Sequence, residues 1–222
     1  LRGEGLILPL LPPPELQPFA SEVRERLRDL EDEYRRGLDL VETWSPDRLR
    51  SLLHTQLRGD QVIVVSNREP YIHERADGGI VVKRPASGLV TAVEPVMRAC
   101  SGTWIAHGSG SADRDVVDKH DRVSVPPEHP AYQIRRVWLS AEEVKGYYDG
   151  FANEGLWPLC HIAHVRPTFR SVDWEQYRAV NQKFADAVVA EAHSDDPVVL
   201  VQDYHFALLP RMIRQRLPNA TI

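Results

Sequence analysis

Cysteine is scarce in this sequence. Cys100 and Cys160 are the only two among 222 residues, too few for a disulfide framework. That scarcity suits a reducing compartment, and a cytoplasmic location is the expectation. No apolar run approaches the roughly 18–20 residues that span a bilayer. Leu6 to Leu11 is apolar but runs into Pro12-Pro13-Pro14, and it lacks the charged start and the cleavage site of a signal peptide. Excess basic charge is missing too. A formal net charge of −5 gives no global positive field for nucleic acid or an anionic membrane, so neither is expected as a partner. The nine histidines show no metal-ligand spacing. Cys160-His161 with His164 lacks the partners a zinc site needs, so no metal site is expected. No GxGxxG follows the first apolar strand, which argues against a nicotinamide enzyme. No Ser-His-Asp or Cys-His pattern stands out.

What is present is ordinary for a soluble globular chain: 42% hydrophobic and 27% charged residues. The length suits one large domain or one and a half average ones. The chain starts at Leu1 rather than Met and stops at Ala220-Thr221-Ile222, where β-formers begin to accumulate. It reads as a fragment cut at the entrance of a strand.

Residues 1–15 are Pro-rich and aperiodic, an expected poorly ordered lead-in. A helical extension follows over residues 16–60. Its first stripe is Leu16, Phe19, Val23, Leu27, Leu30, Tyr34, Leu38 and Val41, in steps of 3 or 4. Ser21 is a candidate cap. The stripe suits a helix packed on its own domain or an arm for homo-oligomerisation. A second helix is expected from Pro46 to Gln56, capped by Ser45.

From Gln61 the texture is that of a Rossmann-like α/β domain over residues 61–222. Val62-Ile63-Val64-Val65 reads as a strand buried on both faces of a mainly parallel sheet. Tyr71 to Lys83 reads as a hairpin turning at Asp77-Gly78-Gly79. Ser87-Gly88 opens a helix, Leu89 to Ala99. Thr103 to Ala106 and Arg135 to Leu139 are strands. Ser140-Ala-Glu-Glu143 is a capping box leading into a helix through Tyr148. Asp173 to Ala192 is a long amphipathic helix. Val198 to Val201 is a second fully apolar strand, followed by a helix to about Arg216. Strand and helix alternate as in doubly wound folds.

Ligands of open α/β sheets bind beyond the carboxyl ends of the strands. Three such ends carry dense polar chemistry: Ser66-Asn67-Arg68, His107-Gly108-Ser109-Gly110 and Gln202-Asp203-Tyr204-His205. Arg68 fits either a fork onto a phosphate or carboxylate or a surface ion pair with Glu69. Asp203 fits a carboxylate that holds sugar hydroxyls or acts as a base, or a cap for the next helix. His205 can orient Asp203, bind a ligand or pack inside. Ser87-Gly88 fits an anion at a helix N-terminus or a simple turn. Tyr147, Tyr148, Phe151, Trp157 and Trp174 are a sugar-stacking cluster or a core.

Taken in order, Val64-Val-Ser-Asn-Arg68, Ala86-Ser-Gly-Leu-Val-Thr-Ala92, Gly146-Tyr-Tyr-Asp-Gly-Phe-Ala-Asn153, Leu156-Trp-Pro158 and Val201-Gln-Asp-Tyr-His205 resemble glycosyltransferase family 20, the trehalose-6-phosphate synthases. The resemblance runs from about Val62 to the end. It implies the N-terminal, acceptor-side domain of a two-domain GT-B enzyme, with the donor-side domain absent from this chain. It implies transfer of glucose with retention from a nucleotide sugar, UDP-glucose, to glucose 6-phosphate, with no cofactor. Arg68 matches the arginine that binds the acceptor phosphate, and Tyr148 and Trp157 match acceptor-site aromatics. Asp203, the expected catalytic residue, matches the aspartate near the sugar hydroxyls. Ser87 and Gly88 fall on the loop near the donor diphosphate, where the family usually has two glycines. His107 stands at an acceptor position where many members have tryptophan. That substitution keeps a second reading open: a glucosylglycerol-phosphate synthase taking glycerol 3-phosphate and a different donor. A third is a non-catalytic regulatory or oligomerising module of the same fold. The fragment alone is expected to have little turnover.

Overall fold

The computed structural model describes residues 17, 22–23, 25–30, 45–56 and 61–222. The lead-in at 1–15, and Ser21, Leu16, Phe19, Tyr34, Leu38 and Val41 of the first stripe, lie outside the described residues. Residues 22, 23 and 25–30 are helical, and Val23, Leu27 and Leu30 are exposed. The chain divides into two compact units, Leu1–Trp44 and Ser45–Ile222. The second unit includes α1 (Pro46–Gln56) ahead of the α/β domain expected from residue 61. Ser45 caps α1 by accepting from Arg48 N at 3.2 Å, and α1 packs on the later helix α2 (Gly88–Cys100).

The second unit is built on a five-stranded sheet. In chain order its strands are β1 (Val62–Val65), β4 (Thr103–His107), β5 (Arg122–Val125), β6 (Tyr132–Val137) and β7 (Val198–Val201). In space they run β5-β6-β4-β1-β7. β1 pairs in parallel with both β4 and β7, and β4 with β6; only β5 is antiparallel. Between β1 and α2 the chain makes a separate hairpin of β2 (Ile72–Ala76) and β3 (Gly79–Lys83). The remaining elements are α3 (Asp113–Val116), α4 (Ala141–Glu143), a π-helical stretch Val144–Leu156, α5 (Trp157–Cys160), α6 (Ser171–Glu191), a 3-10 turn Tyr204–Phe206 and α7 (Leu209–Arg214).

Strand alternation decides which side chain faces which layer. Ile63, Val65 and Ile105 join Tyr177, Val180, Phe184 and Val188 of α6 in one core. Val62, Val64, Trp104 and Ile134 join Val90 and Met97 of α2 in the other. β1 is thus buried on both sides, as its composition predicts. β7 is not: Leu200 is 38% exposed. β5 was not anticipated, and β6 begins three residues earlier than expected. The helix after β7 is a 3-10 turn followed by a short α7 rather than one continuous rod.

The Ser140–Glu143 capping box forms as expected, but the helix it opens runs on past Tyr148 as wide π turns. Two glycines of that stretch let α6 approach closely. A Cβ on Gly146 would lie 2.7 Å from Gln176 Cβ, and one on Gly150 would lie 2.5 Å from Asp173 Cγ. Asp173 cannot swing aside freely, since it holds Arg170 Nη1 at 2.9 Å. Gly150→Ala should therefore destabilise the fold by about 1–2 kcal/mol, overpacking outweighing alanine's better helix propensity. An unchanged or higher urea midpoint would contradict this packing.

Candidate active site

β1 has β4 on one side and β7 on the other, and the order of connection reverses there. A crevice opens at the carboxyl ends of strands at such a point. Here it consists of two adjoining hollows. The larger, about 240 Å³, is lined by Asn67, Arg68, His107, Ser109, Leu139 and Tyr148 among others. The smaller, about 130 Å³, is lined by Asn67, Arg68, Leu89, Tyr148, Asp203 and His205 among others. Asn67, Arg68 and Tyr148 border both.

Arg68 follows directly from β1. Trp104 Nε1 donates to Ser66 Oγ at 2.8 Å, and that hydroxyl donates to the Arg68 carbonyl, so the backbone is pinned. The guanidinium is exposed and has no hydrogen-bond or ion-pair partner among the described residues. The alternative of a surface ion pair with Glu69 is excluded, because Glu69 is engaged elsewhere. It is buried, and it accepts from Ser109 N at 3.2 Å, from Ser109 Oγ and from Arg136 Nη1.

Arg136 is the residue that sequence reasoning missed. It is fully buried on β6. Its Nη2 donates to Tyr71 O at 2.7 Å and Asp113 Oδ1 at 2.8 Å, and its Nη1 also reaches His107 O at 3.2 Å. Asp113 in turn accepts from His73 N at 2.9 Å and from Gly110 N at 2.7 Å. Burial pushes the guanidinium down to about 9, so it is still cationic at neutral pH. The cluster ties the loops after β1 and β4 to β2, α3 and β6. One signal for it existed: Tyr132, Ile134 and Arg136 share one face of a strand, and an inward arginine demands buried carboxylates.

His107 ends β4 and faces the larger hollow. Its Nδ1 lies 3.0 Å from Val137 O. A carbonyl only accepts, so Nδ1 carries the proton and Nε2 presents a lone pair. Burial lowers its pKa against the opposing pull of that carbonyl, which keeps the ring neutral.

Asp203 follows β7 with φ 76° and ψ 164°, a region almost reserved for glycine. Its Oδ1 accepts from Tyr204 N at 2.7 Å, so it caps the 3-10 turn. Its Oδ2 lies 3.5 Å from His205 Nδ1, and the carboxylate is half-exposed. His205 is 7% exposed, and neither ring nitrogen has a hydrogen-bond partner. Burial lowers its pKa, with Asp203 opposing and Arg68 reinforcing.

The crevice thus brings together Arg68, Tyr148, His107 and Asp203. Ser87, Gly88 and Trp157 line neither hollow. Ser87 caps α2, accepting from Val90 N at 3.5 Å, and a Cβ on Gly88 would meet nothing within 4 Å. Their neighbour Leu89 does border the smaller hollow. Trp157 is 41% exposed and stacks on His161 with ring centroids 4.8 Å apart. No group of three potential metal ligands occurs among the described residues. No helix among them is long and apolar enough to cross a membrane.

The chain is similar to proteins already known. Residues 60–222 match the profile of Glycosyltransferase family 20. The chain is 42% identical over 170 residues to a trehalose-6-phosphate synthase of Mycobacterium ulcerans (strain Agy99), covering 76% of this chain and 33% of that protein. It is 41% identical over 161 residues to that of Mycobacterium avium (strain 104), covering 72% and 32%. Among solved structures, the E. coli protein described as bound with UDP-2-fluoro glucose aligns with a TM-score of 0.52 at 25% identity, over 70% of this chain and 30% of that one. The Burkholderia multivorans synthase aligns at 0.51 and 24% identity over 72% and 31%, a likeness of fold. The chain therefore spans about a third of the length of the relatives it matches.

Proposed function

Since this chain belongs to glycosyltransferase family 20, we propose that it forms the acceptor-side domain of a retaining glycosyltransferase that moves glucose from UDP-glucose to glucose 6-phosphate, giving trehalose 6-phosphate. The observation that carries the reading is the unpartnered Arg68 guanidinium sharing one crevice with the Asp203 carboxylate. A planar cation with free donors suits a phosphate fork. Asp203 Oδ2, not used by the cap, accepts a sugar hydroxyl. Tyr148 offers a ring wall, and His107 Nε2 accepts a second hydroxyl. The first turn of α2, with Ser87 and Gly88, supports the departing diphosphate by its N–H groups.

The work of these residues is positioning and charge stabilisation. In a front-face transfer the leaving phosphate takes the acceptor's proton, so the domain needs no nucleophile of its own. The unpaired Cys100 and Cys160 support a cytoplasmic setting, and the exposed Val23, Leu27 and Leu30 support self-association through the N-terminal helix.

The test is a panel on the full-length protein: UDP-, ADP- and GDP-glucose against glucose 6-phosphate and glycerol 3-phosphate. UDP release that depends on glucose 6-phosphate is the expected result. His107 at the acceptor favours a second reading, and turnover with glycerol 3-phosphate alone would establish it. No nucleotide release with any pair would leave the non-catalytic module.

A further inference from the structure

His205 is set in place by everything except its own polar atoms. Its backbone carbonyl accepts from Asn181 Nδ2 at 3.1 Å. The flanking carbonyl of Tyr204 accepts from Tyr177 Oη at 2.6 Å, and Ala207 N donates to that same hydroxyl at 2.9 Å. α6 therefore pins the whole 3-10 turn. Two rings stack on the imidazole, Tyr148 at 5.2 Å and 14° and Tyr204 at 4.3 Å and 27°. Both ring nitrogens are buried and neither makes a hydrogen bond, yet the ring borders the smaller hollow. The charged groups facing it are Asp203 and Arg68, with the phenols of Tyr147, Tyr148 and Tyr204 around it.

A ring kept only for packing would be served as well by phenylalanine. A buried imidazole with two idle nitrogens is instead short of a partner. The nearest one is at hand: Asp203 Oδ2, 3.5 Å from Nδ1, on a residue whose backbone is held in an unfavourable region. A few tenths of an ångström separate that contact from a hydrogen bond.

Resting on the function proposed above, we infer that His205 is a positioning residue. Its Nδ1–H fixes the orientation of the Asp203 carboxylate toward the acceptor, and its ring face sets the plane of Tyr148. Asp203 and Tyr148 are thereby registered to each other through one side chain. His205 touches no substrate itself.

A double-variant cycle tests this in the full-length enzyme. His205→Phe keeps the stack and removes the N–H. It should lower kcat roughly 10- to 100-fold with little change in the donor's KM. His205→Asn, which restores a donor near the Nδ1 position, should recover part of that loss. In an Asp203→Asn background, His205→Phe should change kcat by less than about twofold, because its route of action is already gone. Full additivity of the two losses, or no loss with phenylalanine, would overturn the inference. If the unaltered enzyme turns over no substrate in the panel, it is the function reading that fails. The His205–Asp203 link is then decided without turnover, and without any His205 variant, by nitrogen-15 spectra of the imidazoles. A neutral Nδ1–H form at pH 7, whose signals move and whose pKa drops in Asp203→Asn, supports it. An Nε2–H form, or signals indifferent to Asp203→Asn, refutes it.

Discussion

Arg68→Ala raises KM for the phosphorylated acceptor by about two orders of magnitude and leaves KM for the nucleotide sugar within about threefold. The size follows from what is lost. A forked, charge-assisted contact to phosphate is worth about 3 kcal/mol, and every 1.4 kcal/mol is about tenfold. The asymmetry follows from assigning the guanidinium to the acceptor, which is a real choice because Arg68 borders both hollows. Steady-state kinetics with each substrate varied in turn will read it. Equal rises in both KM values would show that Arg68 serves the donor as much as the acceptor. Arg68→Lys should fall between, keeping the charge and losing the two-point geometry. The fold should be indifferent to either change, since the guanidinium has no partner among the described residues to leave stranded.

Arg136 gives the opposite outcome from the same residue type. Arg136→Leu should destabilise the protein by about 3–5 kcal/mol, because it strands the Glu69 and Asp113 carboxylates in the interior. For a chain of this length each kcal/mol is about 2–4 °C, so the melting temperature should fall by roughly 6–20 °C. Calorimetry or urea unfolding measures it, and a loss under about 1 kcal/mol would mean that the carboxylates find water or other donors. Arg136→Lys should recover only part, since one ammonium cannot serve Glu69, Asp113, Tyr71 O and His107 O at once.

The contrast between these arginines shows what the linear order carries and what it conceals. Arg68 and Asp203 were legible because each follows a short apolar strand, and the end of a parallel strand is where a crevice forms. β1 was legible because four consecutive β-branched residues suit only a strand covered on both sides. β5 was not: Arg122-Val-Ser-Val125 is short, carries a charge and pairs antiparallel at an edge, so no run or alternation marks it. The buried ion cluster was hidden because its members, at 69, 73, 113 and 136, have no spacing in common and meet only when the sheet assembles. Trp157, Ser87 and Gly88 were chosen by resemblance, and none of them lines either hollow. His107 borders the larger hollow, but which nitrogen it offers depends on Val137 O, a contact made across neighbouring strands.

The dihedral angles of Asp203 carry a practical warning. Glycine would occupy φ 76° at no steric cost, and an L-amino acid there forgoes about 1–3 kcal/mol. A thermostabilisation campaign that ranks positions by backbone discomfort would select this aspartate among its first targets. The resulting glycine variant would tolerate heat better and would have discarded the carboxylate that the proposed function assigns to the acceptor. On the proposed function, hardiness and turnover compete at this single residue, and Asp203 is a position to exempt from any such screen.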